Sequence, residues 1–117
     1  MWRMKLPKGE DAEVPGGKIR SYLLSRSHPV GRAKARYFAS RGYRVESPDV
    51  LDRDLRVVAK EGVVRSTEET EWGIKYVVVG SVTAPDGDLL ELATVWMVGG
   101  GGRPVLVTAY PWKGGDA

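Results

Sequence analysis

The sequence predicts an α+β fold: N-terminal helices followed by an antiparallel β-meander of three to four strands. Three observations carry this expectation. From Ile19 to Gly62 the apolar residues recur at helical spacing. From Ile74 onward the period drops to two. The period-two segments are then joined by short turn-forming stretches, PDGD at 85–88 and GGGG at 99–102.

Residues 1–16 carry Pro7, Pro15 and Gly16 as breakers and read as an extended arm. In GKIRSYLLS, residues 17–25, Ile19, Tyr22 and Leu23 share one side of a short helix. A second helix is expected from HPVGRAKARYF, residues 28–38. Pro29 suits the first helical position, where its missing N–H is no loss, and Gly42 ends the helix. Val30, Ala33, Tyr37 and Phe38 mark its apolar side, with Lys34 inside that stripe and Arg32 and Arg36 opposite. The third helix starts at Ser47-Pro48-Asp49, with Ser47 as N-cap. Its stripe is Leu51, Leu55 and Val58, and Gly62 stops it.

IKYVVVGSV at 74–82, LLELATVWMV at 89–98 and PVLVTAY at 104–110 are the strands, and residues 63–68 are a candidate fourth. Gly87 is free to take the positive φ that the turn needs. On the last strand Thr108 and Tyr110 share one face, and Val105, Val107 and Ala109 the other. Residues 113–117 read as a flexible tail, and the whole of 1–117 as one domain.

The chain has 117 residues, 42% hydrophobic and 28% charged, as in a water-soluble globular protein. It has no cysteine, and therefore no disulfide framework or thiolate metal site. No apolar run approaches the ~18 residues of a membrane span. A cytoplasmic protein without a membrane association or cofactor is expected. The net charge of +3 hides an asymmetry: residues 1–60 carry 14 basic against 7 acidic residues, residues 61–117 carry 4 against 8. Between Ser25 and Tyr43 five basic residues stand without an acid. Such a cluster either forms a solvated helix face or attracts phosphates and acidic partners.

His28, the only histidine, precedes a helix start whose free N–H groups favour an anion. It reads either as a structural cap or as a proton carrier near neutral pH. Lys34 either snorkels to water or stabilises an anion in a pocket between helix and sheet. Thr108 offers a hydroxyl and Tyr110 a phenol and a ring. Trp72, Tyr76 and Trp96 are either core aromatics or platforms on which bases stack. Glu68, Glu69 and Glu71 lack metal-ligand spacing and read as solvated.

Taken together, LP near the start, HPxGxxKAxxF at 28–38, a WGxxY element at 72–76, the strand bearing Trp96 and the terminal PxLVTxY resemble a bacterial family of unknown function. Its members occur as small stand-alone proteins and at the C-termini of polymorphic toxins. The order of helices and sheet more loosely resembles the barnase–EndoU–colicin–RelE group of metal-independent ribonuclease toxins. Ribonuclease-A-like contact-dependent inhibition toxins in that group use an early histidine, a nearby cation and a late Thr-x-Tyr. His28, Lys34 or a neighbouring arginine, Thr108 and Tyr110 follow the same order, although the histidine–cation spacing differs.

That resemblance implies an endoribonuclease acting by 2′-OH transphosphorylation without a cofactor or metal. Its catalytic residues would be His28, Lys34, Thr108 and Tyr110. Arg32, Arg36, Tyr76 and Trp96 would contact RNA, and an acidic antitoxin or immunity protein would be the partner. The alternative is a non-catalytic binding or adaptor protein encoded near mobile elements or toxin systems.

Overall fold

The computed structural model describes residues 4–19, 23–24 and 32–113. It has the expected α+β architecture. Among the described residues a short 3-10 helix (Gly9–Asp11) and the α-helices α1 (Gly16–Lys18), α2 (Arg32–Ser40) and α3 (Pro48–Glu61) precede a sheet. Its strands are β1 (Val63–Thr70), β2 (Gly73–Thr83), β3 (Leu89–Val98) and β4 (Val105–Pro111), all antiparallel and in the order β1-β2-β3-β4. The fourth strand is present, and β1 extends to Thr70 through the Glu68–Glu69 pair that composition alone reads as loop.

Helix α2 stops where Gly42 takes φ +96°. Tyr43 N–H then donates to Phe38 O and Gly42 N–H to Ala39 O, satisfying two carbonyls that a helix end leaves open. The rings of Tyr43 and Phe38 meet edge to face at 5.8 Å across this turn. Along α2 the buried residues are Ala35 and Phe38, whereas Ala33 is exposed, so the apolar stripe lies to one side of the predicted line. Pro48 opens α3 as expected, but Ser47 makes no side-chain capping bond. Helix α1 covers the start of the predicted 17–25, Leu24 N–H donates to Ile19 O further on, and residues 20–22 and 25 lie outside the described residues.

Helix α3 lies on the face of the sheet formed by the even-numbered residues of β2 and β3. A Cβ added at Gly80 would meet Val58 of α3. Tyr76, Val78, Val82, Leu90, Leu92 and Trp96 from that face join Leu51, Leu55 and Val58 of α3 and Phe38 of α2 in one hydrophobic cluster. Burial of such side chains stabilises the fold by roughly 1.5–3 kcal/mol each. The cluster also takes Leu6, Ala12 and Val14 from the N-terminal arm. That arm ties the two edge strands together. Val64 N–H of β1 donates to Met4 O, while Glu13 bridges β4 by receiving from Leu106 N–H and donating to Pro104 O.

The alternation along β4 is interrupted. Val95 pairs with Thr108 but Trp96 pairs with Leu106, which leaves Val107 as an extra, exposed residue. This bulge puts Leu106 and Ala109 into the core and turns Val105 to the other face, beside Met97. Val105 and Val107 are therefore not core residues, contrary to a strict period of two. Thr108 and Tyr110 lie beyond the bulge and keep their shared face.

Candidate functional site

That shared face is the one turned away from α3. Thr108 sits opposite Val95, and Tyr110 opposite Ala93. Neighbours on one face of a strand stand roughly 7 Å apart. Both side chains are half-buried, above a floor made by Ala93 and Val95, which are buried. The floor is small because alanine fills it at the Tyr110 level. Lys75 of β2 points to the same face, paired with Met97 across β3, and its ammonium lies 3.5 Å from Glu68.

A second pair closes over this face. Arg65 of β1 and Trp112, just past β4, come from opposite edges of the sheet. Yet the Arg65 guanidinium lies 5.3 Å from the centre of the Trp112 ring. The helical face is occupied by the core, so the two side chains meet across the other face, above β2 and β3. Trp112 is held there by its own backbone N–H, which donates to Glu91 O. Cation–π contacts of this kind contribute about 0.5–1 kcal/mol when exposed and more when desolvated.

The remaining sequence-selected residues are distributed as follows. Arg32 and Arg36 are exposed on α2, as predicted. Lys34 is half-buried, one turn before Phe38, which packs in the core on the α3 side of the sheet. Lys34 and Thr108 both have interaction partners. His28 lies outside the described residues, and so does its distance to the other three. Trp96 does not fit the role of base platform: it is 0% exposed, and its indole N–H donates to Thr94 Oγ1 at 2.7 Å. Tyr76, paired with Trp96 on the core face, is also buried. Both are corrected here from RNA contacts to core residues; their rings are closed off by α3 and its neighbours.

Sequence reasoning missed Arg65, Lys75 and Trp112. The signal was present, since T-A-Y-P-W continues the period of two from Thr108 through Tyr110 to Trp112. A strand taken as residues 104–110 leaves Pro111 and Trp112 outside it. In the structure Pro111 is the last residue of β4 and faces Leu92.

Elsewhere, a groove of about 540 Å³ lies between the 3-10 helix and α3, lined by Glu10, Asp49, Asp52, Arg53, Arg56 and Lys60 among others. None of the sequence-selected residues borders it. Arg56 pairs with Asp52 and donates to Ala12 O at 2.6 Å, so these charges fasten the arm to the helix. On the inner side, Tyr43 donates to the buried Asp54 at 2.6 Å. Burial, and then this bond, push the Tyr43 phenol pKa upward. Among the described residues no cluster of His, Cys, Asp or Glu could hold a metal ion, and no helix is long and apolar enough to cross a membrane.

The family model for DUF6883, a domain of unknown function, matches residues 5–113. The chain belongs to the DUF6883 family. No curated protein matches it. Among solved structures, this DUF6883 chain is similar to one from a contact-dependent growth inhibition toxin–immunity protein complex of Klebsiella pneumoniae 342. The two superpose with a TM-score of 0.68 at 13% identity, over 85% of this chain and 98% of the other. They share a fold.

Proposed function

We propose that this protein acts in a toxin system as a metal-independent endoribonuclease. The observation that carries the reading is the placement of Thr108 and Tyr110 side by side on the sheet face turned away from α3, flanked by Lys75 and the Arg65–Trp112 pair. The fold shared with a chain of a toxin–immunity complex supports the setting.

In the proposed reaction His28 takes the proton of an RNA 2′-OH as its oxygen attacks the adjacent phosphorus. The new O2′–P bond forms as the P–O5′ bond breaks, leaving a 2′,3′-cyclic phosphate. The departing O5′ receives a proton from Tyr110, which shares the face of Thr108. The Thr108 hydroxyl donates to a phosphorane oxygen as charge builds there; Lys34, one turn before Phe38 on the α3 side of the sheet, does not share this face. Arg32 and Arg36, both exposed, hold flanking phosphates. The reaction would take place in the cytoplasm of the affected cell, and an acidic immunity or antitoxin protein would cover the basic residues.

The test is incubation of purified protein, freed of any inhibitor, with total RNA and tRNA in EDTA. Cleavage with cyclic-phosphate ends is expected. His28→Ala should lose it by 10²-fold or more while keeping its unfolding midpoint. The rate should fall steeply with added salt, because phosphate contacts are screened. Intact RNA with the wild-type protein would refute the reading.

A non-catalytic binding role is favoured by a separate feature. Trp72, at the β1–β2 turn, is 73% exposed, and its N–H is pinned to Thr70 Oγ1. A tryptophan presented in this way suits a protein interface. Under that reading overproduction is harmless to growth, and Trp72→Ala abolishes partner capture.

A further inference from the structure

We infer that Trp112, braced by Arg65, is a nucleobase-stacking subsite for single-stranded RNA. This rests on the ribonuclease reading and names the part of the substrate that the sheet face would grip. Three observations lead to it. First, Tyr110 and Trp112 are successive residues on one face of β4 and its extension, so two rings stand in file at roughly the spacing of two stretched nucleotides. Second, Arg65 reaches Trp112 from the far edge of the sheet. A guanidinium over an indole fixes the ring and places a cation within reach of the phosphate that follows a stacked base. Third, Tyr110 and Trp112 are each only half-buried, so part of each side chain stays open to a ligand.

Two acids share this face. Glu68 is engaged by Lys75, and Glu91 offers its backbone carbonyl to Trp112 while its carboxylate is exposed. The face therefore presents two rings and the Arg65 guanidinium to a nucleic-acid strand with flat bases. An acidic protein partner would use the cation but has no need of paired rings.

The experiment uses a fluorescein-labelled 2′-O-methyl RNA, which lacks the attacking hydroxyl and cannot be cut. Its affinity is measured by anisotropy at one fixed salt concentration. A second oligonucleotide of equal length and charge carries abasic positions. Trp112→Ala should weaken binding of the base-bearing strand roughly 5- to 100-fold, the worth of one stacked base. Trp112→Phe should retain most of the affinity, and Arg65→Gln should fall between them. The abasic strand should bind wild type and Trp112→Ala alike. The wild-type preference for the base-bearing strand tests the idea without any variant, should Trp112→Ala fold poorly. Equal wild-type affinity for both strands, or a Trp112→Ala protein that binds like wild type, would overturn the subsite while the ribonuclease reading stands. A wild-type protein with no affinity for either strand would sink both.

Discussion

Thr94 and Trp96 are the polar atoms at the centre of the core, and each depends on the other. Thr94 is fully buried; its hydroxyl donates to Val78 O at 2.9 Å and accepts from the Trp96 indole N–H. Thr94→Val leaves that N–H buried without an acceptor, which costs about 1–3 kcal/mol. In a Trp96→Phe background the donor is already absent, so the same substitution should cost markedly less. Urea unfolding of the four proteins of this cycle measures the difference. Tyr43 makes a second buried bond, to Asp54, and here the effect depends on pH. The phenol pKa is raised in the folded state by burial and by that bond. As the pH rises through about 10, an unfolded phenol loses its proton while the folded one keeps it. Unfolding then releases a proton, so the stability present below about pH 10 declines above it. Tyr43→Phe should show a shallower alkaline decline, read from denaturation midpoints between pH 8 and 11 on the pH scale. At neutral pH the same variant should lose about 1–3 kcal/mol, because Asp54 keeps its burial and loses its donor.

Where α3 hands over to β1, Gly62 is wedged between backbones. A Cβ there would stand 2.6 Å from Val58 O and 2.7 Å from Val79 O, neither of which can move aside like a flexible side chain. Gly62→Ala should destabilise by about 1–3 kcal/mol. Gly16→Ala, at the start of α1 with no atom within 4 Å of the added carbon, should be neutral or stabilise by up to about 1 kcal/mol. Thermal melts of the two variants should diverge in this direction. Both glycines look alike in the sequence, as helix punctuation, and only the packing separates them. The same contrast runs through the other elements. Helix ends at Gly42 and Gly62, the positive φ of Gly87 (+94°) and the strands β2, β3 and β4 follow from local chemistry that the residue types carry by themselves. The bulge at Val107 and the side of α2 that turns inward do not, because they are decided by the neighbours each element meets. A valine is equally at home paired, bulged or buried, so β4 offered no internal sign that its alternation breaks. Trp112 was hidden for a related reason: a proline normally closes a strand, and at an edge it can occupy one.

Across the whole molecule, charge and aromatic residues separate by face. The side of the sheet against α3 holds Trp96, Tyr76 and Phe38 in its interior, whereas Tyr110 and Trp112 stand on the other with Arg65 and Lys75. Residue type alone could not divide these aromatics, because tyrosine and tryptophan serve core and surface equally well; strand register divides them. The exposed edge strand β1 carries Glu68 and Glu69, whose charges discourage pairing with another copy. The N-terminal arm guards both edges, and this has a consequence for the timing of manufacture. Lys8 donates to Gly101 O, 93 positions later, and Glu13 bonds on both sides of Val105. The arm must wait for a strand made about 90 residues later before it can be fastened down. A ribosome that stalls midway leaves the belt unbuckled and the final strand, with Thr108 and Tyr110, unmade, so a half-translated polypeptide carries none of the finished surface.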